Sequence, residues 1–302
     1  MPGGAEVYAQ AAAVLPRALR NAALEVTEDI QSAAEEFRLR RGEKLAVVVG
    51  GTETVLDTQA ITGEDLTAVV GQASGYSAHS VRQQMIAGYL TVQGGHRVGL
   101  CGETVFKDGG VTAYRSYSSA AVRIARQICE AGETVVPRLA DEDGALSNTL
   151  ILAPPGGGKT TLLRDIVRRV SDGVGVKPLR VGLADERREL SAMWEGQAQF
   201  NLGMRTDVIA DCPKAAAVQI LLRGMNPQII AMDEVTAEED LTALLWAAGC
   251  GVRLLVSAHG DSLRSLQQRR LYQKLMEYDL FQRVVIVHRQ GGLRSYRVEV
   301  IQ

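Results

Sequence analysis

A chain of 302 residues, 46% hydrophobic and 23% charged, has the composition of a folded globular protein and enough length for two domains. Its formal net charge of −2 gives no global attraction to nucleic acid or anionic membranes, and its four cysteines (Cys101, Cys129, Cys212, Cys250) lack C-x-x-C spacing, which predicts reduced thiols in a cytosolic setting. No apolar span reaches bilayer length, since the nearest, 241–256, contains Arg253 and a glycine-rich break, and the N-terminus lacks the basic, apolar and cleavage regions of an export signal.

Residues 5–40 place apolar and charged positions at helical spacing, with Leu15, Leu19 and Leu24 near one face and Pro16 suited to a first turn. A strand is expected over 44–49, turning at Gly50-Gly51 and returning over 54–56. Residues 62–73 read as a helix with Thr62 as N-cap and Asp65 three positions on, and 77–87 read as another. Segments 89–92, 97–100 and 103–106, with Gly94-Gly95 and Asp108-Gly109-Gly110 as turns, carry hairpin signals. His96 and Arg97 invite comparison with RNA modules that clamp a backbone with a glycine loop. The spacing is not G-x-x-G and no stacking aromatics are interleaved, so a solvated hairpin or a surface facing a neighbouring subunit is the better reading. A helical pattern over 118–131 (Val122, Ile124, Ala125, Ile128) ends near Gly132, and the polar stretch 141–144 leads to the next strand. These signals predict a small N-terminal α+β domain over 1–125, for subunit or partner contacts, and a second domain over 126–302.

The second domain is built around Ala153-Pro154-Pro155-Gly156-Gly157-Gly158-Lys159-Thr160-Thr161, which follows an apolar run and precedes the periodic Leu162, Leu163, Ile166 and Val167. Strand, glycine loop and helix are the context in which a phosphate-binding loop has physical meaning. Successive glycines let the backbone turn its N–H groups toward one point, and the positive end of the new helix completes an anion site. Residues 154–161 are therefore the expected nucleotide contacts. Lys159 can reach the β- and γ-phosphates, and the Thr160 hydroxyl can ligate Mg²⁺. The first position of G-x-x-x-x-G-K-[ST] is Ala153, which an ordinary strand-end backbone tolerates.

Strand and helix signals then alternate. A strand over 179–184 ends in Asp185-Glu186, and a long polar segment passes Trp194 and Arg205-Thr206-Asp207. A helix over 214–225 starts at Asp211 and Pro213, and the apolar 229–232 reads as a strand covered on both faces. Thr236 and Glu239 suggest a capping box for a helix ending near Gly249, and a strand over 252–257 finishes at His259. A helix over 262–278 and strands over 283–287 and 296–301, around Gly291-Gly292, close the chain. This order predicts an α/β fold, a mostly parallel sheet with a terminal antiparallel hairpin.

Asp233 and Glu234 leave the buried strand at the edge where a parallel sheet gathers its ligands. Adjacent residues there point to opposite sides, so Asp233 is assigned to the metal, through its water shell, and Glu234 to the attacking water. Asp185 and Glu186 either help to orient metal or water or cap the segment that follows. His259 either senses the γ-phosphate or is structural. A cation on the γ-phosphate is still required, and no arginine lies close to Asp233-Glu234 in the sequence. Arg97, Arg126, Arg187, Arg188 and Arg205 sit in segments that can face a neighbour. Arg205 is the first choice and Arg97 the second for an arginine supplied to another subunit.

The strings Pro154-Pro-Gly-Gly-Gly-Lys-Thr-Thr-Leu-Leu-Arg-Asp165, Asp185-Glu-Arg187, Arg205-Thr-Asp-Val208, Asp211-Cys-Pro-Lys214, Met232-Asp-Glu-Val235 and Ala258-His-Gly260 resemble the stage III sporulation protein AA family. Glu36-Phe-Arg-Leu-Arg40, Gly94-Gly-His-Arg-Val-Gly99 and Val122-Arg-Ile-Ala-Arg126 extend the likeness over nearly the whole chain, while Ala153, 188–190 and 222–225 depart from it. The resemblance implies a P-loop NTPase of RecA/AAA-like fold, a cytoplasmic ATPase of endospore-forming bacteria similar to type II and type IV secretion and pilus motors. It further implies ATP and Mg²⁺ as cofactors and a homo-oligomeric ring, a hexamer, peripheral to the membrane on a secretion-like complex between mother cell and forespore. The residues alone leave two alternatives: a nucleotide-dependent nucleic-acid-binding P-loop protein, disfavoured by the near-neutral charge, and a small-molecule kinase.

Overall fold

Among the described residues, one hydrophobic core gathers side chains from Tyr8 to Ile124 and another gathers side chains from Leu150 to Ile286. The computed structural model describes residues 3–76, 81–107, 109–290 and 293–301. Residues up to Arg126, with Ala192–Gln199, make one unit; Gln127–Ser191, with residues from Phe200 onward, make the other. Parts of the expected 77–87 helix and of the turns at Asp108 and Gly291-Gly292 lie outside the described residues.

The first unit opens with α1 (Gly4–Ala12), α2 (Arg17–Leu24) and α3 (Glu28–Ala33), followed by β1 (Ala34–Arg40), β2 (Ala46–Val49) and β3 (Thr52–Val55). After α4 (Gly63–Ala73) and α5 (Arg82–Ile86) come β4 (Tyr89–Thr91), β5 (Arg97–Lys107) and β6 (Gly110–Arg123). The strands form an antiparallel sheet in the order β3-β2-β1-β6-β5-β4. Helical spacing holds to Ala33 and then fails, because β1 is laddered to β2 on one side and β6 on the other. The helix expected over 118–131 is corrected for the same reason. Ala120, Val122 and Ile124 are buried at every second position, and Ile128, which would complete a helical stripe, is 47% exposed. Strand β5 runs through the two segments expected separately, with a register shift at Cys101/Gly102, where a Cβ would lie 2.0 Å from the Ser116 carbonyl oxygen. At α4 the Thr62 hydroxyl accepts from the Asp65 N–H at 3.1 Å while the Asp65 carboxylate accepts from the Thr62 N–H at 2.8 Å.

His96 is not on a solvated hairpin. It is fully buried, its Nδ1 accepting from the Ala125 N–H at 3.0 Å. Burial, with Arg126 nearby, lowers its pKa to about 4, so the imidazole is a neutral internal acceptor. Arg97 lies over the Tyr89 ring, 4.2 Å from its centroid.

The second unit contains β7 (Thr149–Ala153), α6 (Lys159–Asp172), β8 (Val181–Asp185), β9 (Thr206–Ala210), α7 (Lys214–Gly224), β10 (Ile229–Met232), α8 (Glu238–Gly249) and β11 (Arg253–His259). It ends with α9 (Leu263–Leu266), α10 (Arg270–Glu277), β12 (Arg283–Gln290) and β13 (Leu293–Val300). The sheet order is β13-β12-β7-β11-β10-β8-β9, parallel except that β13 runs antiparallel to β12. The α/β architecture expected from alternating signals is therefore the one adopted. Every residue of β7, β8 and β10 is buried, as strands covered on both faces must be.

Strand β9 was expected as polar connecting chain. It is an edge strand whose residues are all half-buried, so it carries no continuous apolar run. The helix expected over 262–278 is two helices, broken where Arg269 leaves helical geometry (φ −108°, ψ 123°) and donates to the His259 carbonyl at 3.2 Å. The cap of α8 falls one residue later than Thr236/Glu239: the Asp240 carboxylate accepts from the N–H groups of Thr236 at 2.9 Å and Ala237 at 3.1 Å. Helix α6 is fixed by Asp165, which is fully buried and accepts from the Gly132 N–H at 2.8 Å and the Arg169 Nε at 3.0 Å. Among the described residues no helix is long and apolar enough to cross a membrane.

Candidate functional site

Strands β7, β8, β10 and β11 all end at one edge of the sheet, and the loops leaving them surround a cleft of about 410 Å³. The loop after β7 can be made only by glycines at its critical points. Gly156 and Gly158 hold φ of +70° and +98°. A Cβ on Gly157 would lie 2.9 Å from the Pro154 carbonyl oxygen, which instead accepts the Gly157 N–H at 2.9 Å. Gly158 is the N-cap of α6, whose first N–H groups receive no side-chain cap. Those donors and the positive end of a fourteen-residue helix make an anion cradle. Pro154 and Gly156 through Thr161 line the cleft, and Pro155 sits exposed on the same loop.

Strand β10 delivers Asp233 and Glu234 opposite this cradle. Lys159, only 7% exposed, has its Nζ 3.4 Å from Glu234 Oε2 and 3.7 Å from Asp233 Oδ1. The Thr160 hydroxyl lies 3.5 Å from Asp233 Oδ2. Asp233 Oδ1 is fixed from the neighbouring strand by the Ser257 hydroxyl at 2.7 Å and from its own backbone by the Glu234 N–H at 3.0 Å. His259, at the end of β11, places Nε2 3.0 Å from Glu234 Oε2, while its buried Nδ1 has no hydrogen-bond partner among the described residues. Tyr272 backs this wall, donating to the Val235 carbonyl at 2.7 Å; burial, with Glu234 nearby, raises its pKa to about 12.

Asp185 lines the cleft yet directs its carboxylate into the loop that follows β8. Oδ2 accepts from the Ser191 N–H at 2.7 Å and the Ser191 hydroxyl at 2.6 Å, and Oδ1 accepts from the Leu190 N–H at 3.2 Å. Arg164 of α6 holds the same loop from below, donating to the carbonyls of Leu190 at 2.8 Å and Glu189 at 2.5 Å, with its guanidinium 4.1 Å from the Phe200 ring centroid. Burial lowers the Arg164 pKa to about 10, a shift opposed by Asp185 and Asp233. Between the Asp185 and Arg164 attachments the loop presents Glu186 to the cleft, where Lys214 donates to it at 2.9 Å. Lys214, 6% exposed, also lies 3.3 Å from the Thr236 hydroxyl and 3.6 Å from Asp240.

The structure thus brings together Lys159, Thr160, Asp233, Glu234 and His259, with Asp185 and Glu186 on the adjoining wall. It does not bring Arg205 there: that guanidinium donates to the Ser171 carbonyl at 2.8 Å, at the far end of α6. Arg97 belongs to the other unit. Sequence reasoning gave no role to three cations around the cleft, Arg164, Lys214 and Arg294. The first two stand inside strings already noted, Leu-Leu-Arg-Asp165 and Asp-Cys-Pro-Lys214. Arg294 had no sequence signal, because only the pairing of β12 with β7 carries the terminal hairpin to the glycine loop.

Among the described residues no group of three His, Cys, Asp or Glu side chains is placed to hold a metal by itself. Thr160 and Asp233 nevertheless offer hard oxygen donors 3.5 Å apart beside an anion cradle, which suits Mg²⁺ sharing its shell with phosphate oxygens and water.

A family model described as Sporulation stage III, protein AA matches residues 6–298. Stage III sporulation protein AA of Bacillus subtilis (strain 168) is 37% identical over 282 residues, covering 93% of this chain and 91% of its own. Among solved structures, the pilus retraction motor PilT with bound ADP aligns with a TM-score of 0.61 at 17% identity, over 91% of this chain and 82% of its own. The ATPase DotB of Legionella pneumophila aligns with a TM-score of 0.57 at 15% identity, over 90% and 77%. At these identities the structural likeness concerns the fold, that of the P-loop secretion and pilus ATPases.

Asp185→Asn is expected to lower stability by about 2 kcal/mol, because one of the two acceptor oxygens is replaced by an amide NH₂ that faces a backbone N–H donor of Leu190 or Ser191. The loss would be read as a lower urea midpoint, with faster amide exchange at Leu190 and Ser191. An unchanged midpoint with unchanged exchange contradicts the role given to this carboxylate.

Proposed function

The chain belongs to the stage III sporulation protein AA family, and from that premise we propose that it is a Mg-dependent ATPase driving assembly or transport by a secretion-like complex between mother cell and forespore. The observation that carries the proposal is Lys159 of the glycine loop lying within 3.7 Å of both carboxylates at the end of β10. In a nucleotide complex the loop N–H groups and Lys159 bind the β- and γ-phosphates, and Lys159 exchanges its carboxylate contacts for phosphate oxygens. Bound Mg²⁺ supplies charge neutralisation on those oxygens, with Thr160 as a direct ligand and Asp233 as a ligand through water. Glu234 holds the attacking water and accepts its proton. His259 orients the Glu234 oxygen it touches, which places it to respond when that carboxylate changes partner. Asp185 fixes the neighbouring loop, and Glu186, held by Lys214, completes the wall beside the water.

The division of labour proposed for the chain puts the ATPase domain at 126–302 and subunit and partner contacts in 1–125. We place the protein in the cytoplasm as a hexameric ring, peripheral to the membrane through proteins of the sporulation complex. Arg187 lines the cleft beside Asp185 and Glu186, and the cation on the γ-phosphate is assigned to an arginine supplied by a neighbouring subunit, Arg205 first and Arg97 second.

Lys159→Ala is expected to abolish binding of ATP or its turnover while the thermal transition of the fold persists. Glu234→Gln is expected to keep ATP bound and to slow hydrolysis by roughly 10²–10⁴-fold, since an amide preserves shape without accepting the proton. Wild-type hydrolysis by a folded Lys159→Ala protein would sink the site. Loss of binding in Glu234→Gln, with an unchanged rate per bound ATP, would make Glu234 a metal or structural residue.

Specific activity is expected to rise with protein concentration as rings assemble, because a trans arginine contributes roughly 10³–10⁵ in rate. Flat activity across a dilution series in which mass measurement finds only monomer would rule the trans arginine out.

A further inference from the structure

The acidic flank of the cleft has its roles, but the opposite flank holds a cation with none. Strand β12 is parallel to β7 and lies on the side of it away from β11 and β10, and β13 returns antiparallel to it. This hairpin carries Arg294 to the glycine loop. A Cβ built on Gly158 would lie 2.6 Å from Arg294 Nε and 3.0 Å from its guanidinium carbon, so the side chain packs directly on the residue that opens α6. Arg294 lines the same cleft as Lys159. Among the described residues it makes no ion pair with a carboxylate, whereas Arg297, farther along the same strand, is paired with Glu299. An exposed guanidinium pressed against an anion cradle, with no acidic partner, is arranged for an anion supplied from outside.

Which part of the ligand it meets follows from the order of the strands. In the function proposed above, Lys159, Asp233, Glu234 and His259, which cluster toward β10 and β11, meet the terminal phosphate. The chain of phosphates therefore leaves the loop toward the nucleoside on the side of β12 and β13. We propose that Arg294 is a ligand-binding residue that clamps the diphosphate portion nearest the nucleoside, in cis, and holds ATP and ADP alike. The inference rests on the nucleotide function proposed above and adds to it a residue and a consequence. The clamp is blind to the γ-phosphate, so it retains the product after hydrolysis, while discrimination between ATP and ADP is left to the acidic flank. Any event that lifts the terminal hairpin then releases nucleotide without touching Glu234.

The test is calorimetric titration of the full chain, with Mg²⁺ present, using ADP, a non-hydrolysable ATP analogue, and inorganic pyrophosphate as a competitor against ADP. Wild-type protein, Arg294→Ala and Arg294→Lys are compared, with thermal melts confirming that the exposed substitution leaves the fold intact. In Arg294→Ala the affinities for ADP, the ATP analogue and pyrophosphate are each expected to fall roughly tenfold, as loss of a charge-assisted, bidentate contact implies. KM for ATP should rise by the same factor with kcat changed less than about twofold, the pattern of lost uniform binding. Arg294→Lys should recover part of the affinity. Unchanged ADP affinity in Arg294→Ala overturns the clamp. A loss confined to the ATP analogue overturns it in favour of a γ-phosphate contact, and a loss for ADP without one for pyrophosphate overturns it in favour of the nucleoside. If wild-type protein itself binds none of the three, it is the nucleotide function that fails, and the clamp with it.

Discussion

The arrangement of the cleft depends on one buried ammonium group. Lys159 is almost wholly removed from water, and an isolated charge in that position would cost several kcal/mol. The cost is offset by two carboxylates that reach it from another strand, so the glycine loop and the end of β10 have to be built together. Parallel pairing supplies that coupling: β11 lies between β7 and β10 and contributes Ser257 to hold Asp233 and His259 to hold Glu234. Removing one partner would leave its counter-charge uncompensated, so the cluster is best described as one unit.

The same logic organises the adjoining wall. Asp185 and Arg164, both buried, give their polar atoms to the backbone of 189–191 and leave the intervening loop free to present Glu186. Lys214, buried at the start of α7, joins that loop to the cap of α8 through Glu186, Thr236 and Asp240. A change of charge at Glu186 would be felt by α7 and α8, whose apolar residues share one core with those of β10 and β11. Lys159 and Lys214 thus meet the cleft already paired with acids, whereas Arg294 on the β13 side makes no ion pair with a carboxylate among the described residues.

Much of this was legible in the sequence, for identifiable reasons. The glycine loop and the Asp233-Glu234 pair are short-range patterns whose chemistry is set by residue type and order, and the buried strands read as apolar runs because both their faces are covered. The Thr62–Asp65 cap was likewise local. What was not legible depended on pairing at a distance. Segment 118–123 looks helical until β1 and β5 ladder to both its edges, and β9 is half-buried at an edge, so it lacks an apolar run. His96 looked like a solvated turn residue because nothing in its neighbourhood announces that the Ala125 N–H will need an acceptor. Asp185 was open between two roles, and the donors that the structure gives to each of its oxygens come from residues 190 and 191, which no local pattern announces. Arg294 is 135 residues from Lys159 by their numbering (294 − 159) and becomes its neighbour only through the order of strands in the sheet.

The claim at the centre of this reading is that Lys159 is held by carboxylates only until phosphate replaces them. A crystal structure of the full chain grown with Mg²⁺ and a non-hydrolysable ATP analogue measures this directly. The expected result is Lys159 Nζ within hydrogen-bond distance of β- and γ-phosphate oxygens, no longer in contact with Glu234, with a metal ion between the Thr160 hydroxyl and Asp233. A Lys159 that stays on Glu234 Oε2 while the nucleotide binds elsewhere would contradict it.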